Sequence, residues 1–343
     1  MSTLSEVAAL AGVTSATVSN VLRQRGKVGQ ATRARVLAAV AQLGYRPHLT
    51  ARALAEGRAP TLALMVASIA NPFYPEFALA AEQAARQHGR FLIVCNTNDD
   101  PALGRAYLEQ IAGTLSDGVL VMNANLQLDD LALTQRRGAP VVLCMWEKPQ
   151  QPPGLPCVAV DFYLAGAIAA RHLAGLGHRH IGIIVGGGRS HIHAERERGF
   201  IDALAALGHS ALPSVYAADT VEGGYQAASA LLAAAPGLTA IFATNDLPAL
   251  GALHAAADRG LRVPDDLSVI GITDILLARQ TRPALSTVAV PTAEAATLAV
   301  ELLLELIARP DQPAPLRIAS PPWLVERAST ARPRPSSHPI PAT

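Results

Sequence analysis

Apolar residues near the start of the chain recur in two short runs. In 5-SEVAALAGVTSATVSNVL-22, Val7, Ala8, Leu10 and Ala11 form one predicted buried stripe and Val18, Val21 and Leu22 another. Gly12 ends the first segment, and Thr14 or Ser15 offers the second a capping hydroxyl. Two helices joined by a turn of about 3–4 residues make a helix-turn-helix. At roughly 100° per residue, Ala16 and Asn20 lie opposite the second stripe, Thr17 and Ser19 flank that face, and Ser15 stands at its N-terminal end. A face this small and polar suits entry into a major groove, although two surface helices of any small α-domain show the same pattern. A third helix is predicted over 30–43, with Val36, Leu37, Val40 and Leu43 at helical spacing and Gly44 closing it. The segment 45-YRPHLTARALAEGRAP-60 is helix-permissive but too short to be stable alone in water. Its Leu54, beside Arg52, reads either as a minor-groove wedge that orders on binding or as a linker leucine packed on the body.

From residue 61 the pattern changes to short apolar runs alternating with helical segments. Strands are predicted at 61–67, 91–96, 117–122, 140–145, 157–160, 180–185, 240–244 and 268–272, with Ala/Leu-rich helices between them such as 76–89 and 223–235. This alternation implies parallel, doubly wound sheets. A chain of 343 residues has room for two such halves beyond the helical head. The Pro/Ser-rich stretch 331–343 is expected to be disordered.

Charge sharpens the first reading. Up to residue 59 there are eight basic residues (Arg23, Arg25, Lys27, Arg33, Arg35, Arg46, Arg52, Arg58) against Glu6 and Glu56, a net +6. The whole chain carries +1, which leaves −5 for the remainder. A basic head on an acidic body is the electrostatic footprint of nucleic-acid binding. Half the residues are hydrophobic, yet no run approaches the ~18 needed for a membrane span, and no signal segment precedes the head. Cys95, Cys144 and Cys157 are isolated from one another, which fits a reducing, cytoplasmic setting.

The chain resembles the lactose/galactose repressor (LacI/GalR) family of bacterial transcription regulators. The runs that carry the likeness are 6-EVAALAGVTSATVSNVL-22, 32-TRARVLAAVAQLGYRP-47, 51-ARALAEG-57, 71-NPFYPE-76, 172-HLAGLGHRHIGII-184, 196-RERGF-200 and 285-LSTVAVP-291, with the long stretch 240–274 and Asp161; it extends from residue 3 to about 330. The resemblance implies an all-α helix-turn-helix DNA-binding head on an α/β periplasmic-binding-protein-like core of two doubly wound parallel-sheet subdomains. Expected bounds are 1–47 for the head, 48–59 for a hinge, 61–160 with 289–319 and 161–288 with 320–330 for the subdomains, and 331–343 for the tail. It further implies a homodimer on a near-palindromic operator, with Ser15, Ala16 and Asn20 as base readers and Thr17 and Ser19 on phosphates. Leu54 would lever the minor groove open.

The resemblance places effector contacts on Phe73, Tyr74, Trp146, Asp161, Arg196, Asn245 and Thr273. Rings suit the flat face of a sugar or purine, and Arg196 offers a forked donor. In 271-GITD-274 the family usually has an aspartate at the third position; here Thr273 stands there, with Asp274 behind it. Phe162 likewise replaces a common polar neighbour of Asp161. The stretch 188-GRSHIHAER-196 adds Arg189, Ser190, His191 and His193, a donor-rich loop that points to an anionic effector such as a sugar acid or phosphorylated metabolite.

Sharper chemistry is not supported. His172, His178 and His180 lack accompanying ligands at metal spacing, and His178 reads as a helix C-terminal cap. The Gly186–Gly188 run lacks a phosphate-loop pattern, and no nucleophile, base and orienter share a motif. The expectation is a non-enzymatic, cofactor-free, effector-responsive DNA-binding regulator acting as a repressor, with operator DNA and a sugar or sugar-derived metabolite as partners and no membrane contact. The alternative is a small-molecule-binding protein whose head no longer reads DNA.

Overall fold

Thr3 and Glu6 open the first helix, α1 (Leu4–Ala11), with a reciprocal cap: Glu6 N–H donates to Thr3 Oγ1 (3.3 Å) and Thr3 N–H to Glu6 Oε2 (2.7 Å). Gly12 ends it in the left-handed conformation (φ 63°). Helices α2 (Ser15–Leu22) and α3 (Gln30–Leu43) complete a three-helix unit around Val7, Ala8, Ala11, Val18, Val21, Val36 and Ala39. Two expected core residues face solvent instead, Leu10 at 47% exposure and Leu37 at 50%. The inward rows are 4, 7, 8, 11 in α1 and 36, 39, 40, 43 in α3, each at i, i+3, i+4, i+7 spacing, and neither leucine falls on them.

In this computed structural model the chain divides into two units, residues 1–60 and 61–343. Described are residues 2–22, 26–45, 61–122, 125–149, 153–187, 191–210, 213–310 and 314–334.

The second unit begins with β1 (Thr61–Val66), α4 (Phe73–Gln87), β2 (Phe91–Asn96), α5 (Pro101–Ile111), β3 (Val119–Met122), α6 (Leu128–Arg136), β4 (Val141–Glu147) and β5 (Cys157–Val160). It continues through α7 (Phe162–Leu176), β6 (Ile181–Val185), α8 (His191–Ala206), β7 (Val215–Tyr216), α9 (Val221–Ala234), β8 (Ala240–Ala243), α10 (Asp246–Asp258), β9 (Ser268–Thr273), α11 (Leu276–Gln280) and β10 (Ser286–Ala289). It ends with α12 (Thr292–Ala308), β11 (Leu316–Ile318) and β12 (Trp323–Val325). One sheet has the order β11-β5-β4-β3-β1-β2 and the other β12-β10-β9-β8-β6-β7. All pairings are parallel except β10 with β12. The chain passes to the second sheet after β5, returns through α12, which packs on β3, β4 and β5, and passes back between β11 and β12.

Two glycines let α7 and α8 touch backbone to backbone. A Cβ on Gly166 would collide with the Arg196 carbonyl, and one on Gly199 with that of Tyr163. This close crossing positions the start of α8, which carries His193 and Arg196.

The expected disorder from residue 331 is corrected by the structure for 331–334. Ala331 N–H donates to Ser268 Oγ (3.0 Å), and Arg334 pairs with Asp265 (2.9 Å) and Asp266 (3.0 Å). The rest of that stretch lies outside the described residues. His178 closes the end of the helix 162–176 through its backbone N–H, which donates to the Leu173 carbonyl (3.1 Å), and not through its ring. Its buried ring lies between Thr239 Oγ1 (3.0 Å) and the Ala331 carbonyl (2.8 Å), so it pins the C-terminal segment.

Gly166→Ala or Gly199→Ala is expected to cost about 2–3 kcal/mol by forcing the helices apart. Gly175→Ala, in the same α7 but with nothing within 4 Å of its would-be Cβ, is expected to be neutral or to stabilise by up to about 1 kcal/mol. Urea unfolding of the three variants decides; equal stabilities would mean that the crossing relaxes.

Candidate DNA-facing helix and effector cleft

Thr14, not Ser15, caps α2: Thr17 N–H donates to Thr14 Oγ1 (3.2 Å), and the two hydroxyls are 3.0 Å apart. With Val18 and Val21 buried, Ala16 and Asn20 are exposed, and Ser15, Thr17 and Ser19 are half-buried beside them. The five candidates thus share one accessible side of a short helix. Arg52 and Leu54 lie outside the described residues.

The second unit holds a cavity of about 880 Å³ between its two sheets. Its wall comes from segments beyond the carboxyl ends of strands, where open α/β sheets bind ligands. Ala67, Ser68, Ala70, Asn71 and Tyr74 follow β1; Asp99 follows β2; Asn125 and Leu126 follow β3; Trp146 and Glu147 end β4. From the other side come Gly187 after β6, Ile192 and His193 on α8, Ala218, Asp219 and Thr220 after β7, and Leu247 on α10.

A bulge explains how consecutive residues Trp146 and Glu147 both reach the cavity. The register moves from Leu143↔Cys157 to Trp146↔Ala159, one extra residue in β4, and Met145 adopts φ 52°. Glu147 Oε2 accepts the Phe162 N–H (3.0 Å), and burial pushes its carboxyl up to about 7.

Of the expected effector contacts, Tyr74, Trp146 and His193 lie on the wall. Others do not, each for a local reason. Phe73 is a core residue, its ring 5.8 Å from that of Tyr74. Asp161 caps α7, accepting Leu164 N–H (2.8 Å), and pairs with Lys148 (3.3 Å). Arg196 is 1% exposed; its fork is turned to the Thr244 carbonyl (2.7 Å) and lies 4.5 Å from the Phe162 ring centroid. Phe162 therefore supplies a face for a buried cation, and burial lowers the Arg196 guanidinium to about 10. Asn245 caps α10 and donates to Asp219 Oδ2 (2.9 Å). The Thr273 hydroxyl is 3.2 Å from both Asn245 Oδ1 and Asp246 Oδ2. Asp274 pairs with Arg327 (2.5 Å) and Arg279 (3.5 Å), and with Thr273 borders a separate small cavity. Ser190 lies outside the described residues, as does the side chain of His191.

Sequence reasoning missed Asn71, Asp99, Glu147 and Asp219. Asp219 is the most connected: its Oδ2 accepts from Asn71 Nδ2 and Asn245 Nδ2, both at 2.9 Å, while its Oδ1 is shielded from solvent and has no partner among the described residues. Burial pushes this carboxyl up to about 6, against the lowering pull of Arg196. Burial, with Arg196 adding to it, drives His193 down to about 3, so its ring is neutral at physiological pH. The wall thus carries Asp99, Glu147 and Asp219 and, among the described lining residues, no Lys or Arg. Of the donor-rich stretch 188–196, Arg189, Ser190 and the side chain of His191 lie outside the described residues, His193 lies on the wall and Arg196 is buried. Among the described residues no group of three or more His, Cys, Asp or Glu could hold a metal, and no helix is long and apolar enough to cross a membrane.

Residues 3–48 match the family described as bacterial regulatory proteins, lacI family, and residues 170–330 match a periplasmic binding protein-like domain. The chain is 35% identical over 346 residues to the HTH-type transcriptional regulator GalR of Salmonella typhimurium, covering 98% of each. It is 33% identical over 317 residues to the HTH-type transcriptional repressor PurR of Haemophilus influenzae, covering 91% of this chain and 93% of that one. Among solved structures, the complex of the transcriptional regulator CelR with cellobiose superposes with a TM-score of 0.70 at 29% identity, covering 96% of this chain and 100% of the other.

The raised carboxyl of Glu147 has a testable sign. Between its ordinary 4.5 and about 7 the folded state holds a proton that the unfolded chain has lost, so this group favours folding more as pH falls through that window. Glu147→Gln is therefore expected to be more stable than wild type at pH 8, by up to about 2–3 kcal/mol, with the gap closing by about pH 4.5. Denaturant unfolding of both proteins across that range checks it; a gap independent of pH would show that Glu147 does not titrate there.

Proposed function

The chain belongs to the bacterial lacI family of regulatory proteins, and on that premise we propose that it is an effector-responsive repressor binding a near-palindromic operator as a homodimer. The observation that carries the reading is the union, in one chain, of a solvent-facing Ala16/Asn20 helix side in a basic head and a ligand-sized cleft between two α/β subdomains. Asn20 takes adenine N6/N7 in a bidentate pair, Ser15 and Ala16 complete the base-facing surface, and Thr17 and Ser19 meet phosphates. Arg52 and Leu54 act at the minor groove. The effector is a sugar or sugar-derived metabolite, bound against Tyr74 and Trp146, and the protein works in the cytoplasm.

The moving bodies are 61–160 with 289–319 and 161–288 with 320–330. Side-chain bonds span them both at the crossover, where Phe162 N–H donates to Glu147 Oε2 (3.0 Å), Lys148 Nζ to Asp161 Oδ2 (3.3 Å) and Ser320 N–H to Glu294 Oε1 (3.1 Å), and away from it, where Asn71 Nδ2 donates to Asp219 Oδ2 and Leu276 N–H to Glu76 Oε1 (2.8 Å). An effector that prefers one relative orientation shifts the population of DNA-competent dimers. A second copy of the chain has a surface to meet. Phe91 and Val94 are exposed on the edge strand β2, with Leu79 on the adjoining α4.

Capture of genomic DNA by the full chain is expected to enrich a short near-palindrome that a version lacking residues 1–59 does not enrich. Asn20→Ala should cost about 1–3 kcal/mol on that site and relax one base position, whereas Thr17→Ala should weaken all sequences alike. No enrichment at modest salt, with or without cell-extract metabolites, would sink the reading. Light scattering is expected to give twice the chain mass for wild type and a shift toward monomer for Leu79→Asp/Phe91→Asp.

A further inference from the structure

Three glutamates accept backbone N–H groups across the subdomain boundary, and they differ in burial. Glu294 takes Ser320 N–H at the crossover from β11 to β12 and is exposed; Glu76 takes Leu276 N–H and is half-buried. Glu147 takes Phe162 N–H at the crossover from β5 to α7 and is only 7% exposed. Phe162 is the first residue of α7, so a carboxylate at the end of β4 sits on the positive end of the helix that enters the second subdomain.

This bond sets the direction in which α7 leaves the crossover. Lys148 N–H donates to the Val160 carbonyl (3.0 Å) and Lys148 Nζ pairs with Asp161 (3.3 Å), so the end of β4 is tied to residues just before α7 as well. Further along, α7 meets α8 backbone to backbone at Gly166 and Gly199, and a swing of α7 about its first turn takes α8 with it. Glu147 therefore acts at a pivot. Ionised, it is a strong acceptor attracted by the helix dipole; protonated, it keeps a weaker acceptor and loses that attraction.

The surroundings set when it changes. Burial pushes the carboxyl up, Phe162 N–H pulls it down, Asp161 and Glu195 push it up again and Tyr163 N–H pulls it down, which leaves it at about 7. From α8 the charge of Arg196 faces it, and Tyr74, Asp99, His193 and Asp219 are the other titratable groups of the cavity wall. Phe162 N–H stabilises the ionised form only while α7 is held, so falling pH favours the released arrangement.

We propose that Glu147 is a proton-responsive clamp on the subdomain hinge: its carboxylate holds the start of α7 against β4, and proton uptake frees α7 to reorient the second subdomain. The device belongs to the α/β core and does not depend on what the head reads or on which effector fills the cleft.

The test is a pulsed EPR distance between spin labels on Gln110→Cys and Ala230→Cys, exposed positions of α5 and α9. Cys95, Cys144 and Cys157 are buried, which leaves the label to the introduced sites. The full chain, diluted with unlabelled chain to suppress distances between copies, is measured from about pH 5.5 to 8.5. The ratio of two distance populations is expected to change about fivefold, with its midpoint near pH 7. Glu147→Gln should abolish the transition and hold the low-pH distribution of wild type throughout. Asp161→Asn, which still offers α7 a capping oxygen, should lower the midpoint because a negative neighbour is gone. Glu294→Gln, at the other crossover, should leave the midpoint in place. A wild-type distribution that does not move with pH, a transition that survives in Glu147→Gln, or an unmoved midpoint in Asp161→Asn would overturn the proposal. If Glu147→Gln fails to fold, wild type and Asp161→Asn still decide.

Discussion

A guanidinium that is 1% exposed stands behind the ligand cleft, and the surrounding structure is arranged to keep its charge. Isolating a cation from water is prohibitive unless opposite charge and hydrogen bonds replace the lost solvation. Arg196 has the Thr244 carbonyl, the Phe162 ring, and the fields of Asp219, Asp246 and Glu147. Three carboxylates around one cation leave acceptors in excess, and each carboxyl is raised, to about 6, 6 and 7 respectively. Neutral donors take up part of the surplus. Asn71 and Asn245 serve Asp219, Thr287 and the Ile275 N–H serve Asp246, and the Phe162 N–H serves Glu147. Asp219 Oδ1 is left over, and it belongs to a residue on the cavity wall. Arg196 Nε is likewise buried without a partner among the described residues, so the cluster leaves one donor as well as one acceptor unmet.

Arg196 can occupy that place only because backbone meets backbone nearby. Without a Cβ at Gly166 the Arg196 carbonyl approaches α7 directly, and Gly199 does the same for Tyr163 one turn further on. A second close pair, Gly224 against Pro248 and Gly251 against Val221, brings α9 onto α10 below Asn245 and Asp246. The electrostatic cluster is therefore carried on helices whose spacing is set by missing side chains.

The fold was legible where burial on both faces leaves continuous apolar runs. TLALMV and CVAV occupy the strands read from them, as expected for parallel sheets covered on both sides, whereas FLIVCN is as apolar but forms the edge strand, with Phe91 and Val94 exposed. β10 was not legible as a strand, because Ser286 and Thr287 look polar and yet are buried. Their hydroxyls are spent on Thr330 and Asp246. Site residues divide similarly. Trp146, named from the resemblance, lies on the cavity wall although the bulge that aims it leaves no local trace. Phe73, Asp161 and Thr273 have the right chemistry for ligands, but packing, a helix cap and the Asn245–Asp246 pair consume it. Asp219 carried no signal at all. Its importance depends on Asn71, 148 residues earlier in the chain, and such a pairing becomes visible only when the subdomains are folded together.

The same carboxylate also limits how an effector can act. An allosteric coupling is typically about 1–3 kcal/mol, and a hydrogen bond to a charged group contributes about 1.5–3 kcal/mol. The Asn71–Asp219 bond is therefore large enough to carry much of the coupling alone, with the Glu76–Leu276 bond as its counterpart across the subdomains. Asp219 Oδ1 is enclosed against Gly186, so a ligand in the cavity meets this carboxylate through Oδ2, which Asn71 and Asn245 already occupy. One that competes for Oδ2 removes the amide and favours separation. Since a ligand moves an equilibrium only by its differential affinity, the sign of the response depends on whether its own bonds across the subdomains outweigh the one it displaces.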